Sequence, residues 1–144
     1  MSRALGLLRS YLVCAVVFVA LDAVWLTLAS DRLYRAELGP LMAAAPRLGP
    51  AVAFYLIYLA GVVGFCVAPT LRSGDRRQAL VRGAAFGFVA YATYDLTNQA
   101  TLIGWSARVT VLDLLWGAFV TAVSAGAAAF FARPSDLVGR SHHE

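Results

Sequence analysis

Three aspartates lie inside long apolar stretches of this sequence, where little water is available to solvate a carboxyl group. In the segment YATYDLTNQATL, Asp95 is followed by Asn98 and Gln99 at the third and fourth positions. Asp22 and Asp113 lie in two other apolar runs. An aspartate near the middle of a membrane span costs about 2.5–3.5 kcal/mol on insertion, and such residues usually face the bundle interior and mark ion or proton pathways. The three carboxyls are therefore the groups best suited to chemistry in this chain.

Two of these aspartates share a local motif with a tryptophan. LDAVWLT contains Asp22 and Trp25, which are three positions apart. LDLLWGA contains Asp113 and Trp116 at the same spacing. Residues three apart lie on one face of a helix, so we expect each acid and its tryptophan to project together.

The composition is that of an integral membrane protein. Of the 144 residues, 60% are hydrophobic and 14% are charged, with a mean hydropathy of +0.71, whereas soluble domains carry about 25% charged residues. The net charge of +4 comes from 12 arginines that are scattered between apolar runs, without an aromatic-interleaved patch. Membrane topology explains them better than nucleic-acid binding. We therefore expect the lipid bilayer as a partner and no nucleic acid.

Four apolar segments are long enough to cross a bilayer, which takes about 20 residues in a helix. We expect an all-α membrane protein, a four-transmembrane-helix bundle with a single domain over residues 1–132 and a flexible cytoplasmic tail over 133–144. The runs are continuous, unlike the alternating strands of a β-barrel. Gly83 and Gly87 give the third span a face for close helix approach. The predicted spans are approximately 8–29, 51–69, 83–102 and 109–132.

The connection after the first span, SDRLYRAELGPLM, allows two interpretations. One is a short helix on the outer membrane surface, capped by Ser30 or Asp31 and interrupted at Gly39 and Pro40. The other is an ordinary polar connection.

The distribution of arginines predicts the orientation of the bundle. Eight lie on the side of the two termini and of the loop between the second and third spans, and four lie on the other side. The positive-inside rule therefore places both termini in the cytoplasm. The eight are Arg3, Arg9, Arg72, Arg76, Arg77, Arg82, Arg133 and Arg140, and the four are Arg32, Arg35, Arg47 and Arg108.

The three aspartates are expected at similar depths in the membrane. At about 1.5 Å of rise per residue, Asp22 lies roughly 21 Å and Asp95 roughly 18 Å from the cytoplasmic edge of the apolar core. Asp113 enters from the outer side and lies roughly 24 Å from the same edge of a core about 30 Å thick. We therefore expect the three carboxyls to converge in a polar chamber in the outer half of the membrane.

The residue types narrow the chemistry of such a chamber. No histidine lies in a span, and there is no Ser–His or Cys–His pair, phosphate loop or dinucleotide fingerprint, so we expect no metal and no cofactor. Carboxyls that share a proton act as proton carriers or general acids, and ionised ones bind cations, with tryptophans adding cation–π contact. Arg32 or Arg108 is placed to neutralise one carboxylate at the mouth. Cys14 and Cys66 lie in apolar runs and are expected to be small core residues.

Four segments carry a recognisable pattern: LDAVWLTLASDRLYRAELG, FYLIYLAGVVGFCVAP, YATYDLTNQATLIGW and VTVLDLLWGAF. Over about residues 11–120 they resemble a bacterial family of small inner-membrane proteins described as a domain of unknown function, DUF2177. The resemblance implies a four-helix protein of the bacterial inner membrane and no particular activity. Its motif positions, which we take as candidate polar-site residues without assigned catalytic roles, are Asp22, Trp25, Tyr94, Asp95, Thr97, Asn98, Trp105, Asp113 and Trp116.

Three functions are compatible with these features, and the sequence does not decide whether the protein is an enzyme. The favoured one is binding or transport of a proton, a cation or a small polar ligand, by a homodimer because four helices are few for alternating access. The first alternative is a membrane-embedded enzyme acting on a lipid or isoprenoid by aspartate acid–base chemistry, with Tyr94, Asn98 and Thr101 as hydrogen-bonding surround. The second is a structural or accessory subunit whose polar residues lock the helices together.

Overall fold

The part of the protein that the structure describes consists of helices and short connections. The structure is a computed structural model that describes residues 3–132, without the side chains of Arg3 and Arg72. The predicted tail, 133–144, lies outside the described residues. In chain order the elements are α1 (Arg3–Ala29), a π-helical segment (Ser30–Arg35), α2 (Ala36–Leu38), a 3-10 turn (Gly39–Leu41), α3 (Leu48–Gly61), a second π-helical segment (Val62–Val67), α4 (Ala68–Ser73), α5 (Arg76–Thr101) and α6 (Ala107–Phe131).

Among residues 3–132, three continuous helical stretches are long and apolar enough to cross a membrane: Ala4–Leu41 with 38 residues, Leu48–Leu71 with 24 and Ala107–Phe131 with 25. α5 has 26 residues and would span about 39 Å at 1.5 Å per residue, but its arginines and polar residues make it less apolar. Large apolar side chains are exposed on the surface of the protein, such as Ile57 at 74% and Phe65 at 69% exposure. An apolar exterior suits contact with lipid. The predicted all-α membrane fold is confirmed.

The first helix is longer than the sequence predicts. It continues past residue 29 into a segment that we name the helix extension, Ser30–Leu41. The helix runs through Ser30 and Asp31 without a side-chain cap. Gly39 and Pro40 form its last turn and do not interrupt a separate helix. The predicted cap at Ser30 or Asp31 and the predicted polar connection are therefore wrong, whereas a position of this helical segment at the outer membrane surface stays a prediction.

The helix extension continues because it packs on the start of α6. Leu33 and Leu38 are buried to 6% exposure in an apolar cluster that contains Val109 of α6. Glu37 accepts a hydrogen bond from the Ser106 hydroxyl at 2.7 Å and pairs with Arg108 at 3.4 Å. Burial of the apolar face together with these polar contacts outweighs the turn-forming tendency of the connection.

α5 and α6 pack closely because glycines line their interface. A Cβ atom built on Gly87 would lie 2.0 Å from the Gly117 carbonyl oxygen, and one on Gly83 would lie 2.7 Å from the Thr121 carbonyl oxygen. The predicted close-approach face of Gly83 and Gly87 is confirmed. The helices are joined by a short turn in which Gly104 has a φ of +82°, a conformation that glycine adopts without strain.

The second span packs unevenly along its length. α5 contacts this span mainly at the second π-helical segment and at α4, so α3 and the C-terminal part of α5 stand apart. The central core joins Phe18 of α1, Val62 and Val67 of the π-helical segment and Val120 of α6 with both cysteines. The cysteines are free and buried, as expected of small core side chains. The gap between α3 and α5 contains a cavity that also reaches α6.

Candidate functional site

Asp95 and Asp113 form a pair of carboxyl groups between α5 and α6, which we name the acid pair. Asp95 is 0% exposed, and its carboxyl lies beside that of Asp113. Among the described residues, neither carboxyl oxygen of Asp95 accepts a hydrogen bond from an N–H group or from a hydroxyl group. An unpartnered carboxylate is very unfavourable in a buried position, and Asp95 is the member of the pair whose negative charge no donor among the described residues offsets.

Asp113 is held by a relay of donors from the first helix. The Tyr34 hydroxyl, on the helix extension, donates to Asp113 Oδ1. The Trp25 indole Nε1 donates in turn to the Tyr34 oxygen at 2.8 Å. Asp113 is 6% exposed, so its ionised form depends on this relay more than on water. The helix extension thereby supplies a contact that fixes one member of the acid pair.

Asp22 has the most complete set of donors of the three aspartates. The Tyr55 hydroxyl of α3 donates to Asp22 Oδ2 at 2.5 Å, and the Trp116 indole Nε1 of α6 donates to Oδ1 at 3.3 Å. Asp22 therefore ties together three helices. Asp22 is 7% exposed, and these hydrogen bonds give each of its carboxyl oxygens a donor.

The two Asp–Trp motifs meet face to face. The rings of Trp25 and Trp116 stack with centroids 4.7 Å apart and planes 9° from parallel. Short connections reverse the chain three times between α1 and α6, so the two helices run antiparallel. Trp116 of α6 consequently lies beside Asp22 of α1. Trp25 of α1 lies beside Tyr34, the tyrosine that donates to Asp113 of α6. The repeated spacing thus produces a reciprocal arrangement.

A cavity of about 400 Å³ opens in the gap between α3 and α5 and reaches α6. We name it the aromatic cavity. Its carboxyl group is that of Asp113, so the acid pair is connected to the cavity through one member. Tyr58 lies at its inner wall, where its hydroxyl is hydrogen-bonded to the Thr121 hydroxyl at 2.8 Å. The lining residues are Phe54, Tyr58, Ala90, Tyr91, Tyr94 and Asp113.

A second cavity of about 340 Å³ lies below the helix extension and the segment that follows it. Arg35 and Trp105 line it, and Tyr94 lines both cavities. Tyr94 is 61% exposed, and its ring meets that of Trp105 edge to face at 5.8 Å between centroids. Trp105 donates from Nε1 to the Thr110 hydroxyl at 3.1 Å. These two rings therefore lie at the rim between the two cavities.

Three polar residues after Asp95 do not join the carboxyls. Thr97 is exposed, and its hydroxyl donates to backbone carbonyl oxygens of Thr93 and Tyr94 in its own helix. Asn98 is half-buried and lies beside the Tyr94 side chain. Gln99 is exposed. Fewer polar side chains of α5 therefore face the bundle interior than the positions of Asn98 and Gln99, three and four residues after Asp95, suggest.

In the part of the chain that the structure describes, tyrosine and tryptophan side chains donate to Asp22 and Asp113. Arg108, expected to neutralise one of the three aspartates, pairs instead with Glu37 at 3.4 Å, and Arg32, the other arginine expected there, is exposed. Within residues 3–132 no three His, Cys, Asp or Glu side chains are arranged to hold a metal ion. Sequence reasoning missed Tyr34 and Tyr55. The available signal was a tyrosine within or next to an apolar run, since a buried hydroxyl requires a partner.

Comparison with known proteins agrees with the helical membrane fold. The family described as "Predicted membrane protein (DUF2177)" matches residues 7–130. No curated protein and no solved structure matches the chain. The match covers most of the 144 residues and includes all three aspartates with their tyrosine and tryptophan partners. The chain therefore belongs to the DUF2177 family of membrane proteins.

Proposed function

We propose that this membrane protein binds a proton at the acid pair and exchanges it for a cation that enters through the aromatic cavity. The observation that carries the proposal is the Asp95 carboxyl, which is fully buried beside Asp113 and has no usual donor among the described residues. Two ionised carboxylates side by side in a buried position repel each other strongly. A proton or a cation between them removes this repulsion.

The three aspartates take different roles in this proposal. Asp22 has a structural role, because its two carboxyl oxygens accept hydrogen bonds from Tyr55 and Trp116. Asp113 accepts from Tyr34 and faces the aromatic cavity. Asp95 carries the exchangeable proton, since it is the member without a fixed donor. Proton loss from Asp95 leaves a negative pair that attracts a cation to the Asp113 side.

The proposal places the protein in the bacterial inner membrane with both termini in the cytoplasm. The positive-inside distribution of arginines supports this orientation. In this orientation the helix extension and the second cavity face the periplasm, so ligand would arrive from outside. We propose a homodimer as the working unit, because four helices are few for alternating access.

Proton uptake by proteoliposomes tests the proposal. With an imposed pH gradient and a pH-sensitive dye inside the vesicles, the wild-type protein should take up protons faster than Asp95→Asn, because asparagine cannot release a proton. Asp31→Asn is the control, since Asp31 is exposed and pairs with Arg35 at 3.1 Å on the surface. Equal uptake by wild type and Asp95→Asn would overturn the proposal.

An enzyme that acts on a lipid or isoprenoid is the second candidate. The aromatic cavity supports it, because its mostly apolar walls end at the acidic Asp113, next to a second acid. One protonated and one ionised carboxyl are the parts needed for general acid–base chemistry. Lipid profiles of deletion and Asp113→Asn strains should then differ from wild type, and identical profiles would contradict this candidate.

A further inference from the structure

We infer that the aromatic cavity binds an organic ammonium ion with an apolar body, its positive nitrogen near Asp113 and its body against the aromatic rings. This inference rests on the proposed function and names the chemical class of the cation. It follows from three features of the cavity: its rings, its single carboxyl and its opening.

The rings form a corner suited to a cation. Phe54 and Tyr58 are 5.2 Å apart between centroids and tilted by 35°, and Tyr58 meets Tyr91 edge to face at 6.4 Å. A cation within about 6 Å of a ring centroid is attracted by the negative ring face, and the attraction is stronger where water is excluded. An ammonium ion at this corner would contact more than one ring.

The carboxyl of Asp113 supplies the charge that complements an ammonium ion. It is the ionisable acid among the six lining residues of the cavity, and Asp95 lies directly behind it. Calcium and magnesium ions prefer at least six oxygen ligands, whereas most of the wall here is aromatic and aliphatic carbon. A cation whose nitrogen carries carbon substituents therefore fits these walls better than a hydrated metal ion.

The size and the opening agree with an apolar body. At about 400 Å³ the cavity lies within the usual range of small-molecule sites, roughly 300–1,000 Å³. Phe54 at 42% and Tyr94 at 61% exposure flank the gap between α3 and α5. A molecule with an apolar body can partition into the bilayer and reach this opening from the side. Tyr94 also borders the second cavity, which offers a route from the outer surface.

Benzyltrimethylammonium is a suitable probe for this inference. Isothermal titration calorimetry with the protein in nanodiscs should show saturable binding, with empty nanodiscs of the same lipid composition as the blank. Neopentylbenzene, the uncharged carbon analogue of the same shape, should bind much more weakly. Equal binding of the charged and uncharged molecules would overturn the inference, because the cavity would then select for apolar surface alone.

Variants at the rim test the rings without disturbing the core. Phe54→Leu and Tyr94→Leu should each weaken binding of the probe by at least about threefold, because each removes an aromatic face. Phe65→Leu is the matched control, since Phe65 is 69% exposed, packs on Phe86 and does not line the cavity. Loss of affinity in all three variants would contradict the inference, as would no loss at Phe54 and Tyr94.

The outcome separates this inference from the proposed function. Proton uptake that depends on Asp95, together with no binding of benzyltrimethylammonium, would reject the organic ammonium and leave the proton site in place. Binding of the probe in Asp95→Asn with no difference in proton uptake would instead reject the proton site and retain the cavity as a cation-binding site. Asp113→Asn should abolish probe binding while the protein keeps its cooperative thermal unfolding.

Discussion

At the scale of single residues, the same functional group occurs in three different surroundings. Asp22 accepts from two donors, and Asp113 accepts from Tyr34. Asp95 is fully buried with no usual donor among residues 3–132. A carboxylate held by charge-assisted hydrogen bonds contributes to stability, whereas an unpartnered one is unfavourable. The donors therefore distinguish a structural aspartate from one that is available for exchange.

Because Asp22 has donors and Asp95 has none among the described residues, two conservative substitutions should affect stability differently. Asp22→Asn should lower the unfolding temperature in detergent, because hydrogen bonds to a charged group contribute about 1.5–3 kcal/mol each. Asp95→Asn should leave it unchanged or raise it, because a neutral carboxamide is able to donate to Asp113. Thermal unfolding followed by circular dichroism measures both, and an Asp95→Asn protein destabilised as much as Asp22→Asn would contradict the assignment.

The positions of the acids could be predicted from the sequence, whereas their partners could not. A carboxyl in an apolar run is visible in one dimension because its insertion cost is high. The donors Tyr34 and Tyr55 depend on which helices become neighbours, and tyrosine also occurs at membrane surfaces for other reasons. Thr97 and Gln99 were misleading for a related reason, because spacing defines a face of a helix and the packing decides how much of it is buried.

At the scale of elements, the α5–α6 interface aligns the acid pair. Gly87→Ala should lower the free energy of unfolding by about 1–3 kcal/mol, the usual cost of overpacking, because its Cβ would meet a backbone carbonyl 2.0 Å away. Gly64→Ala is the control, since nothing lies within 4 Å of a Cβ built there. Chemical denaturation in detergent measures the difference, and equal stability of the two variants would contradict this packing.

The helix extension offers a second test at this scale. Tyr34→Phe removes the hydroxyl that joins the extension to Asp113 and Trp25, so backbone amides of Ser30–Leu41 should exchange hydrogen faster. Tyr11→Phe is the control, because Tyr11 donates to the Leu56 carbonyl oxygen at 3.2 Å, at a distant position. Hydrogen exchange followed by mass spectrometry measures this, and unchanged exchange in Tyr34→Phe would show that the relay does not hold the extension.

The sequence predicted which segments form long helices more accurately than it predicted where those helices begin and end. The apolar runs near 51–69, 83–102 and 109–132 lie within α3 to α4, α5 and α6, apart from the last residue or two. The continuation of α1 into the helix extension was missed, because the charged residues of this segment resemble a break between two helices. Its two buried leucines and Glu37 form contacts with α6 that no local pattern reveals.

At the scale of the whole molecule, the orientation in the membrane decides from which side the cavities are reached. A membrane-impermeant maleimide added to intact cells should label Ala44→Cys, in the exposed connection before α3, and should not label Gln78→Cys, near the start of α5. The native cysteines are 0% and 1% exposed and give little background. The reverse labelling pattern would contradict the arginine-based orientation.

The central claim is that the acid pair holds one proton when no cation is bound. Infrared spectroscopy of the protein in lipid tests it most directly, because a protonated carboxyl has a carbonyl stretch distinct from that of a carboxylate. We expect one such band in wild type and in Asp22→Asn, and its loss in Asp95→Asn. A spectrum without this band in wild type, or with the same band in Asp95→Asn, would contradict the claim.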